Sequence, residues 1–268
     1  MRIIHLSDIH VGKDATNIRE QHFSSIVNWI LNKKNLHQAD YVIITGDIVH
    51  NGRSKEYQDA QVQINKLNAG DLKVFSVPGN HDYGFSGIVQ KDKCIYRFKE
   101  YIVDNVHLTY PYCDPNTTYP IVLLDSMLSE MQNNHTWGAQ GEIGAEQLKT
   151  LEDILYHLDS TGKRAIVALH HHPFFYNNFL QLRDDDAFKS IIKQKGSSGA
   201  SRVKCVLFGH KHVEKRFNGD DGNREKEYGI DVIFASGSTT EPRPNYADKL
   251  VVPVIDLQHN AITNFSIS

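Results

Sequence analysis

A chain of 268 residues, 40% hydrophobic and 23% charged, has the composition of an ordinary soluble globular protein, which excludes the disordered and membrane-embedded classes. The formal net charge of -3 argues against a protein that coats nucleic acid through bulk positive charge. The length suits one large domain, and we expect residues 1–268 to form a single domain.

The sequence also carries signals about cellular context. The amino-terminal segment has none of the features of a secretory leader, and no apolar run reaches membrane-spanning length. The cysteines Cys94, Cys113 and Cys205 are odd in number and widely spaced, which disfavours a disulfide framework or a four-thiolate zinc site. We therefore expect a cytoplasmic protein with no membrane partner. The sequence leaves the oligomeric state open.

Short apolar runs alternate with segments of helical period along the first two thirds of the chain. The runs, each predicted as a strand buried on both faces, are Ile3 to Leu6, Tyr41 to Thr45, Val74 to Val77, Ile121 to Leu124, Ala165 to Leu169 and Val203 to Phe208. Apolar residues recur at spacings of three and four from Phe23 to Leu31 and again from Leu148 to Leu158, which predicts two amphipathic helices. This alternation indicates an α/β fold.

The remaining segments are predicted as hairpins and loops. Past residue 208, turn signals at Asn218-Gly219 and Asp221-Gly222 accompany predicted strands at 230–235, 250–255 and 262–267. Segments 110–118 and 173–186 are rich in proline, aromatic and polar residues. We predict that both are surface loops near the site.

Five short polar clusters carry the candidate chemistry, and each follows within a few residues of the end of an apolar run. They are Asp8-Ile9-His10, Gly46-Asp47, Gly79-Asn80-His81-Asp82, His170-His171-His172-Pro173 and Gly209-His210-Lys211-His212. Ligands of α/β sheets bind at the carboxyl ends of the strands. The five clusters are therefore expected to converge on one edge.

The residue types in these clusters favour a metal site. Carboxylate, amide and imidazole ligands without thiolate suit manganese, iron(II), cobalt or zinc. Two such ions held roughly 3.5–4 Å apart activate a water and orient a phosphate, and a bridging carboxylate is the natural way to hold them that close. Asp47 is the candidate for the bridge. Each cluster alone has an ordinary explanation as a turn or cap, but together they favour a dinuclear site.

In this order, the five clusters resemble those of the calcineurin-like metallophosphoesterase superfamily. The closest likeness is to the bacterial cyclic-AMP phosphodiesterases, through the His-His-His-Pro block, the Leu123 to Ser126 stretch, the helix entry near Gly141 and the Ser236 to Thr240 loop. The resemblance implies a four-layer αββα sandwich. It implies one metal bound by Asp8, His10, Asp47 and His212. It implies a second metal bound by Asp47, Asn80, His170 and His210.

From the resemblance we expect hydrolysis of a small phosphodiester, with 3′,5′-cyclic nucleotides of the cyclic-AMP type as the best candidates. Two divalent ions are expected, Mn2+ or Fe2+ before Zn2+ or Co2+. A hydroxide held between the ions would attack the phosphorus in line, with Asn80 and His212 also contacting the substrate. Protonated His81 would donate to the leaving alkoxide as a general acid.

One departure keeps other functions open. Many superfamily members have an aspartate three residues after the bridging one, which polarises the histidine of Gly-Asn-His, whereas this chain has His50. A histidine there also resembles the double-strand-break repair nucleases of the superfamily, so a nuclease acting on DNA or RNA is the alternative. A non-catalytic scaffold is less favoured, because the chain keeps all seven ligand positions.

For several further residues the sequence allows two interpretations of their role. His171 and His172 either orient ligands or shape the loop, with the structural role favoured, and Arg243 either reaches a phosphate or caps the surface. His5 is predicted as a hydrogen-bonded core residue. Aromatic residues of the predicted loops either stack on a nucleobase or anchor their own loops, and these are Tyr83, Phe85, Tyr110, Tyr112, Trp137, Phe174, Phe175 and Tyr176.

Overall fold

The structure is a computed structural model that describes residues 1–132, 139–174, 180–219 and 222–267. Trp137, Phe175 and Tyr176 of the predicted loop aromatics, and Asp221 of the predicted turn, lie outside the described residues. No helix within the described ranges combines the length and the apolar character that crossing a membrane requires.

The elements follow the predicted α/β alternation. The strands are β1 (Arg2–Leu6), β2 (Tyr41–Thr45), β3 (Lys73–Val77), β4 (Gly84–Phe85), β5 (Val89–Gln90), β6 (Tyr112–Asp114), β7 (Ile121–Leu123), β8 (Ala165–Ala168), β9 (Val203–Phe208), β10 (Lys215–Arg216), β11 (Val232–Ala235), β12 (Leu250–Asp256) and β13 (Ala261–Ile267). The α-helices are α1 (Ile18–Asn32), α2 (Lys34–His37), α3 (Ser54–Ala69), α4 (Asp92–Arg97), α5 (Leu128–Gln132), α6 (Ala145–Ser160), α7 (Asp185–Ile192) and α8 (Arg224–Tyr228). Tighter or wider helical turns occur at His81–Tyr83, Phe98–Val103 and Pro244–Tyr246.

Two mixed sheets form the centre of the molecule. The first has the strand order β13-β12-β1-β2-β3, with β1, β2 and β3 parallel and β12 antiparallel to β1. The second has the order β10-β11-β9-β8-β7-β6, with β7, β8, β9 and β11 parallel and the two outer strands antiparallel. The parallel strands of each sheet therefore end at a common edge.

The alternation of side chains along each strand separates four layers. In β1, Ile4 and Leu6 pack outward with residues of α1 and α3, whereas Ile3 packs inward against the second sheet. In β9, Val206 packs outward with α6 and α7, whereas Leu207 joins the inner cluster. Because successive residues of a strand point to opposite faces, this pattern gives helices, sheet, sheet and helices in order. The predicted αββα sandwich is confirmed.

Two predicted segments differ from the structure. Segment 110–118 was predicted as a surface loop, but it contains the edge strand β6, and Tyr110, Asp114 and Thr117 are buried. The Asp114 carboxylate is paired with Lys73 at 2.5 Å, and this ion pair joins the edge strands β6 and β3 of the two sheets. The antiparallel pairing of β10 and β11 agrees with a hairpin past residue 208, but their connection, which contains the predicted turn at Asn218-Gly219, also holds helix α8. The Asn223 side chain caps that helix by accepting from the Lys226 backbone N–H.

Candidate metal centre

The first sheet brings four of the predicted ligands to one edge. Asp8 lies two residues beyond the end of β1, with His10 next to it, and Asp47 lies two residues beyond the end of β2. Asn80 lies three residues beyond the end of β3. Since these three strands are parallel and adjacent, their following loops share one edge of the sheet, as predicted.

The second sheet supplies the other three. His170 lies two residues beyond the end of β8, and His210 lies two residues beyond the end of the neighbouring parallel strand β9, followed by His212. The Gly209 backbone N–H donates to the His170 carbonyl, and the His210 backbone N–H donates to the Asp8 carboxylate. The first bond joins two loops of the second sheet, and the second bond joins the edges of the two sheets.

Asp8, His10 and His212 form one group, which we call the His212 half. The Nε2 atoms of His10 and His212 lie 2.9 Å apart, and His212 Nε2 lies 3.5 Å from Asp8 Oδ1. The side chains of Asp8 and His10 are buried, whereas 28% of the His212 side chain is exposed. The three ligand atoms lie within 4.8 Å of one another, which is close enough to share an ion.

Asn80, His170 and His210 form the second group, which we call the His170 half. His170 Nε2 lies 3.2 Å from Asn80 Oδ1 and 3.1 Å from His210 Nδ1. The other ring nitrogen of His170 donates to the Thr45 carbonyl at 2.7 Å, so in the neutral ring the Nε2 lone pair points into the group.

Asp47 lies between the two halves. Its Oδ2 atom is 3.4 Å from His170 Nε2 and 3.9 Å from His10 Nε2. Its Oδ1 atom accepts from the His81 backbone N–H at 2.8 Å, which fixes the orientation of the carboxylate. This is the position that a carboxylate shared by two ions requires.

The protonation states of the candidate ligands suit cation binding. Burial lowers the pKa values of His10 and His210 well below the usual range, so both rings are neutral and have a lone pair available. His10 Nδ1 and His210 Nε2 have no hydrogen-bond partner among the described residues. Burial also disfavours charge on His170, but the Asp47 and Asp8 carboxylates outweigh it and raise the pKa of His170 to about 9. Positive charge is thus favourable at this position, as a metal site requires.

The backbone at these positions is strained. Five of the seven predicted ligands have a positive φ, and they are Asp8 (52°), His10 (53°), Asp47 (52°), His210 (75°) and His212 (54°). Such non-glycine conformations are costly and cluster at functional sites, where the surrounding structure holds them. Asp and His adopt this region more often than most non-glycine residues, but its occurrence at five of the seven predicted ligands is a second reason to assign a site to this edge.

Comparison with known proteins identifies the family. The sequence profile of the calcineurin-like phosphoesterases matches residues 1–214, which include all seven predicted ligands. The chain belongs to this family. Calcineurin-like phosphoesterases are metal-dependent phosphoester hydrolases with a dinuclear metal centre, and the cluster of imidazoles and carboxylates at the sheet edge fits two cations.

Individual relatives of this calcineurin-like phosphoesterase differ in substrate. It is 30% identical to a probable glycerophosphodiester phosphodiesterase GpdQ of Arcobacter nitrofigilis, over 65% of the chain and 58% of the relative. It is 25% identical to a 3′,5′-cyclic-nucleotide phosphodiesterase of Nostoc sp., over 80% of the chain and 72% of the relative. A dimetal phosphatase from Danio rerio has the same fold, with a TM-score of 0.69 at 14% identity, covering 100% of this chain and 99% of that one. The match spans little more than half of the GpdQ relative.

The predicted general acid of this phosphoesterase, His81, lies beside the His212 half. Its ring centroid is 4.5 Å from that of His10 and 4.8 Å from that of His50, which stacks on it. His81 Nδ1 donates to the backbone carbonyl of His50 at 2.8 Å. At the position where many relatives have an aspartate, the main chain therefore orients the imidazole, and the side chain of residue 50 contributes only the stacked ring.

Asp82 connects two ligand loops of the phosphoesterase. Its carboxylate accepts from the backbone N–H groups of Ile48, Val49 and Gly79, between 2.9 and 3.3 Å. Burial, together with the Asp47 charge, raises the pKa of Asp82 to about 7. Asp82 thus holds the loop after β2 against the loop after β3 and contacts no candidate ligand atom.

A short hairpin covers Asn80 and His81, and the sequence analysis did not find it. Strands β4 and β5 form the hairpin, and the carbonyl of Gly87 at its turn accepts from Asn80 Nδ2 at 3.0 Å. Gly87 has φ +66°, and a Cβ there would lie 2.3 Å from Asn80 Nδ2 and 2.5 Å from His81 Cδ2. This contact turns Asn80 Oδ1 toward His170.

A second network behind His212 was also not found from the sequence. His212 Nδ1 donates to Glu241 Oε2 at 3.3 Å, and Arg19 pairs with the other oxygen of that carboxylate. The hydrogen bonds to His212 and Arg19 outweigh partial burial and lower the pKa of Glu241. No periodic pattern marks either residue, because the contact joins helix α1 to a loop 222 residues away.

The remaining predicted residues have mostly structural roles. His5 Nε2 lies 2.9 Å from Thr45 Oγ1 in the core, which confirms that prediction. His171 is buried with Nδ1 2.8 Å from Ser126 Oγ, and the His172 ring packs on Phe208 at 4.6 Å between centroids. Arg243 pairs with Glu214.

Most of the described loop aromatics are occupied by other contacts. The Tyr83 hydroxyl donates to Asp125, the Tyr110 hydroxyl donates to the Ser76 carbonyl, and Phe174 packs on Phe208 and Phe217. These residues anchor their own segments. Phe85, on the hairpin that covers His81, is 55% exposed. It is the most exposed of the described aromatics that the sequence singled out.

Proposed function

We propose that this calcineurin-like phosphoesterase hydrolyses small phosphodiesters, with 3′,5′-cyclic nucleotides as the best candidates. The observation that carries the proposal is the position of Asp47, whose carboxylate faces His10 on one side and His170 on the other at 3.9 and 3.4 Å. One cation would be held by Asp8, His10, Asp47 and His212. The other would be held by Asp47, Asn80, His170 and His210.

The cations supply Lewis acidity and an activated water when they are bound. The chain's own residues would do the rest. Asn80 lies at the covered end of the site, where its amide is held by Gly87, and it would bind a phosphate oxygen together with His212. Hydrogen bonds and charges fixed in advance stabilise the charge that develops on those oxygens, at no cost of reorganisation.

His81 would act as the general acid. Its Nδ1–H is engaged by the His50 carbonyl, so Nε2 is the nitrogen left to carry a proton to the leaving oxygen. The ring packs edge-to-face on His10, which would put it next to a bound phosphate. Its orientation by the main chain supports this role, because a general acid must be held within hydrogen-bond reach of the atom that it protonates.

Two observations favour a cyclic nucleotide over other diesters. The Nostoc relative, which carries that activity in its name, matches 80% of the chain. The exposed Phe85 ring on the hairpin over His81 offers an apolar face for a base. We also infer that residues 1–268 form a single domain, which is supported by the inner core cluster that both sheets share.

The proposal is tested by a hydrolysis panel with added manganese. It compares 3′,5′-cyclic and 2′,3′-cyclic nucleotides, a glycerophosphodiester, bis-p-nitrophenyl phosphate, p-nitrophenyl phosphate and single-stranded DNA. We expect 3′,5′-cyclic nucleotides to give the highest kcat/KM, with turnover in the Asp47→Asn variant lower by about 10³-fold or more. Preferred cleavage of DNA would favour the nuclease alternative, and inactivity with every metal would favour the scaffold.

A further inference from the structure

We infer that Glu241, held in place by Arg19, is a positioning residue that orients His212 and strengthens cation binding in the His212 half. The inference rests on the proposed two-metal centre and assigns to it two residues that supply no ligand atom. We therefore expect mutation of Glu241 or Arg19 to weaken cation binding in the His212 half but not in the His170 half.

The contact between Glu241 and His212 determines which ring nitrogen faces the site. Glu241 Oε2 lies 3.3 Å from His212 Nδ1, so that nitrogen carries the proton that the carboxylate accepts. The lone pair of the neutral ring is then on Nε2, which lies 3.5 Å from Asp8 Oδ1 and 2.9 Å from His10 Nε2. A carboxylate behind a ligating histidine fixes the tautomer and raises the basicity of the ligand nitrogen.

Arg19 fixes the carboxylate itself. The guanidinium is largely buried at the start of α1, pairs with Glu241 Oε1 and lies 3.3 Å from Asp14 Oδ2. A buried arginine that binds a carboxylate holds it in a narrow range of orientations. Because Asp14 also pairs with Arg19, the charge of the guanidinium is balanced on both sides.

The same guanidinium is tied to the loop that carries Asp8. Its Nη1 atom donates to Ser238 Oγ at 3.3 Å and to Thr240 Oγ1 at 3.0 Å. These two hydroxyls donate in turn to the carbonyls of Asp8 and Ile9, each at 2.7 Å. Arg19 thus sets the position of Glu241 relative to the Asp8 ligand loop, and so the distance between His212 and Asp8.

Among the described residues, no side chain plays the part of Glu241 in the His170 half. The outer nitrogen of His170 donates to the backbone carbonyl of Thr45, which no substitution removes. In the His212 half the corresponding acceptor is the side chain of Glu241, which is a third exposed and also lies 3.6 Å from Lys13 Nζ. Water and Lys13 weaken the interaction with His212, so we expect the effect of removing Glu241 to be nearer tenfold than hundredfold.

The experiment measures manganese binding to the chelator-treated full chain by calorimetry, in the wild type and in Glu241→Ala, Glu241→Gln and Glu214→Gln. We expect two binding events in the wild type. Glu241→Ala should weaken one of them by about 10-fold and leave the other unchanged. Glu241→Gln keeps an acceptor oxygen but loses the charge, so its loss should be smaller.

Glu214→Gln is the matched control. Glu214 is another carboxylate close to His212 in sequence, pairs with Arg243 in the way that Glu241 pairs with Arg19, and accepts from Tyr246 at 3.3 Å. The contacts of its carboxylate are with these residues and with Asn264, not with a candidate ligand, so both binding events should match the wild type. Thermal unfolding of each chelated protein checks that the fold is kept.

The Arg19→Met variant tests the inference independently, through manganese binding alone and in combination with Glu241→Ala. If Arg19 acts through Glu241, Arg19→Met should weaken the same event and add little in a Glu241→Ala background. The inference is wrong if both manganese-binding events are unchanged in both Glu241 variants, or if Glu214→Gln loses as much affinity as they do. Either result would leave the two-metal centre unaffected. A wild-type chain that binds fewer than two ions would overturn the proposed centre and this inference together.

Discussion

The two halves of the candidate metal centre are built from similar ligands but are supported differently. In the His170 half, backbone carbonyls hold the ligands, with Thr45 accepting from His170 and Gly87 accepting from Asn80. In the His212 half, Glu241 and Arg19 hold His212, whose side chain is 28% exposed. The difference indicates that the loss of a neighbouring side chain affects the His170 half less, whereas the His212 half depends on side chains and is open to exchange with solvent.

The largest effect is expected where the two halves meet. Asp47→Asn keeps the size of the side chain but removes the charge that both ions would share, so both halves should lose affinity together. We expect less than one ion per chain by elemental analysis and a fall in turnover on the order of 10³-fold or more. Full occupancy with two ions would contradict the shared position of Asp47.

His81 belongs to neither half, so its substitution should affect turnover without affecting metal binding. We expect His81→Ala to keep both ions and to lose about 10²–10⁴-fold in kcat, most severely with poor leaving groups. The measurement is kcat on a series of aryl phosphodiesters of increasing leaving-group pKa, with metal content determined in parallel. An equal loss for every leaving group would remove His81 from the role of general acid.

Gly87 tests the backbone support of the His170 half. A Cβ there would collide with Asn80 and His81 at 2.3 and 2.5 Å, so Gly87→Ala should displace both and lower kcat by about 10²-fold. Gly162→Ala is the matched control, since Gly162 has a similar φ of +73° but no atom within 4 Å of the added Cβ.

Both glycine variants adopt the same strained region of φ, so both should lose some stability in thermal unfolding. Only Gly87→Ala should lose turnover on the preferred diester. A wild-type kcat in Gly87→Ala would show that the hairpin does not position Asn80.

The smallest effect concerns the layer beneath the His170 half. Asp125 precedes Ser126, which contacts His171, and burial raises the pKa of Asp125 to about 6 although Tyr83 donates to it. The folded pKa lies above the unfolded value of about 3.9, so protonated Asp125 adds stability below pH 4 that is lost as the pH rises through 6.

Asp125→Asn stays neutral at every pH and should not show this loss. In chelated protein, the free energy of unfolding of the wild type relative to Asp125→Asn should fall by about 2–3 kcal/mol between pH 4 and pH 7. Denaturant titrations at each pH give that difference. A difference that stays constant with pH would refute the raised pKa of Asp125.

The apolar patterning was sufficient for the α/β alternation and for the convergence of the clusters, whereas the four layers were implied by the family resemblance. Buried strands such as Ala165 to Leu169 have a continuous apolar pattern, and the polar residues that follow them are brought together by the parallel arrangement. The assignment of each ligand to a metal remains a prediction. The distances support it, with His10 beside His212 and His170 beside His210.

What sequence reasoning missed depends on contacts between distant segments. Glu241 and Arg19 have no pattern of their own, and the hairpin with Gly87 is too short to give a period. Helix α8 was hidden by the turn signals around it, and β6 by its polar composition. The positive φ values of the ligands are likewise set by tertiary packing, because local preference disfavours them at Asp8 and His10.

Asp47 is proposed to join the two cation sites. X-ray absorption spectroscopy of the full chain loaded with manganese tests it most directly, since it reports both the metal separation and the ligand atoms. We expect two ions per chain roughly 3.5–4 Å apart, with nitrogen and oxygen ligands and no sulfur. A single bound ion, or two ions with no metal–metal scattering at that distance, would contradict it.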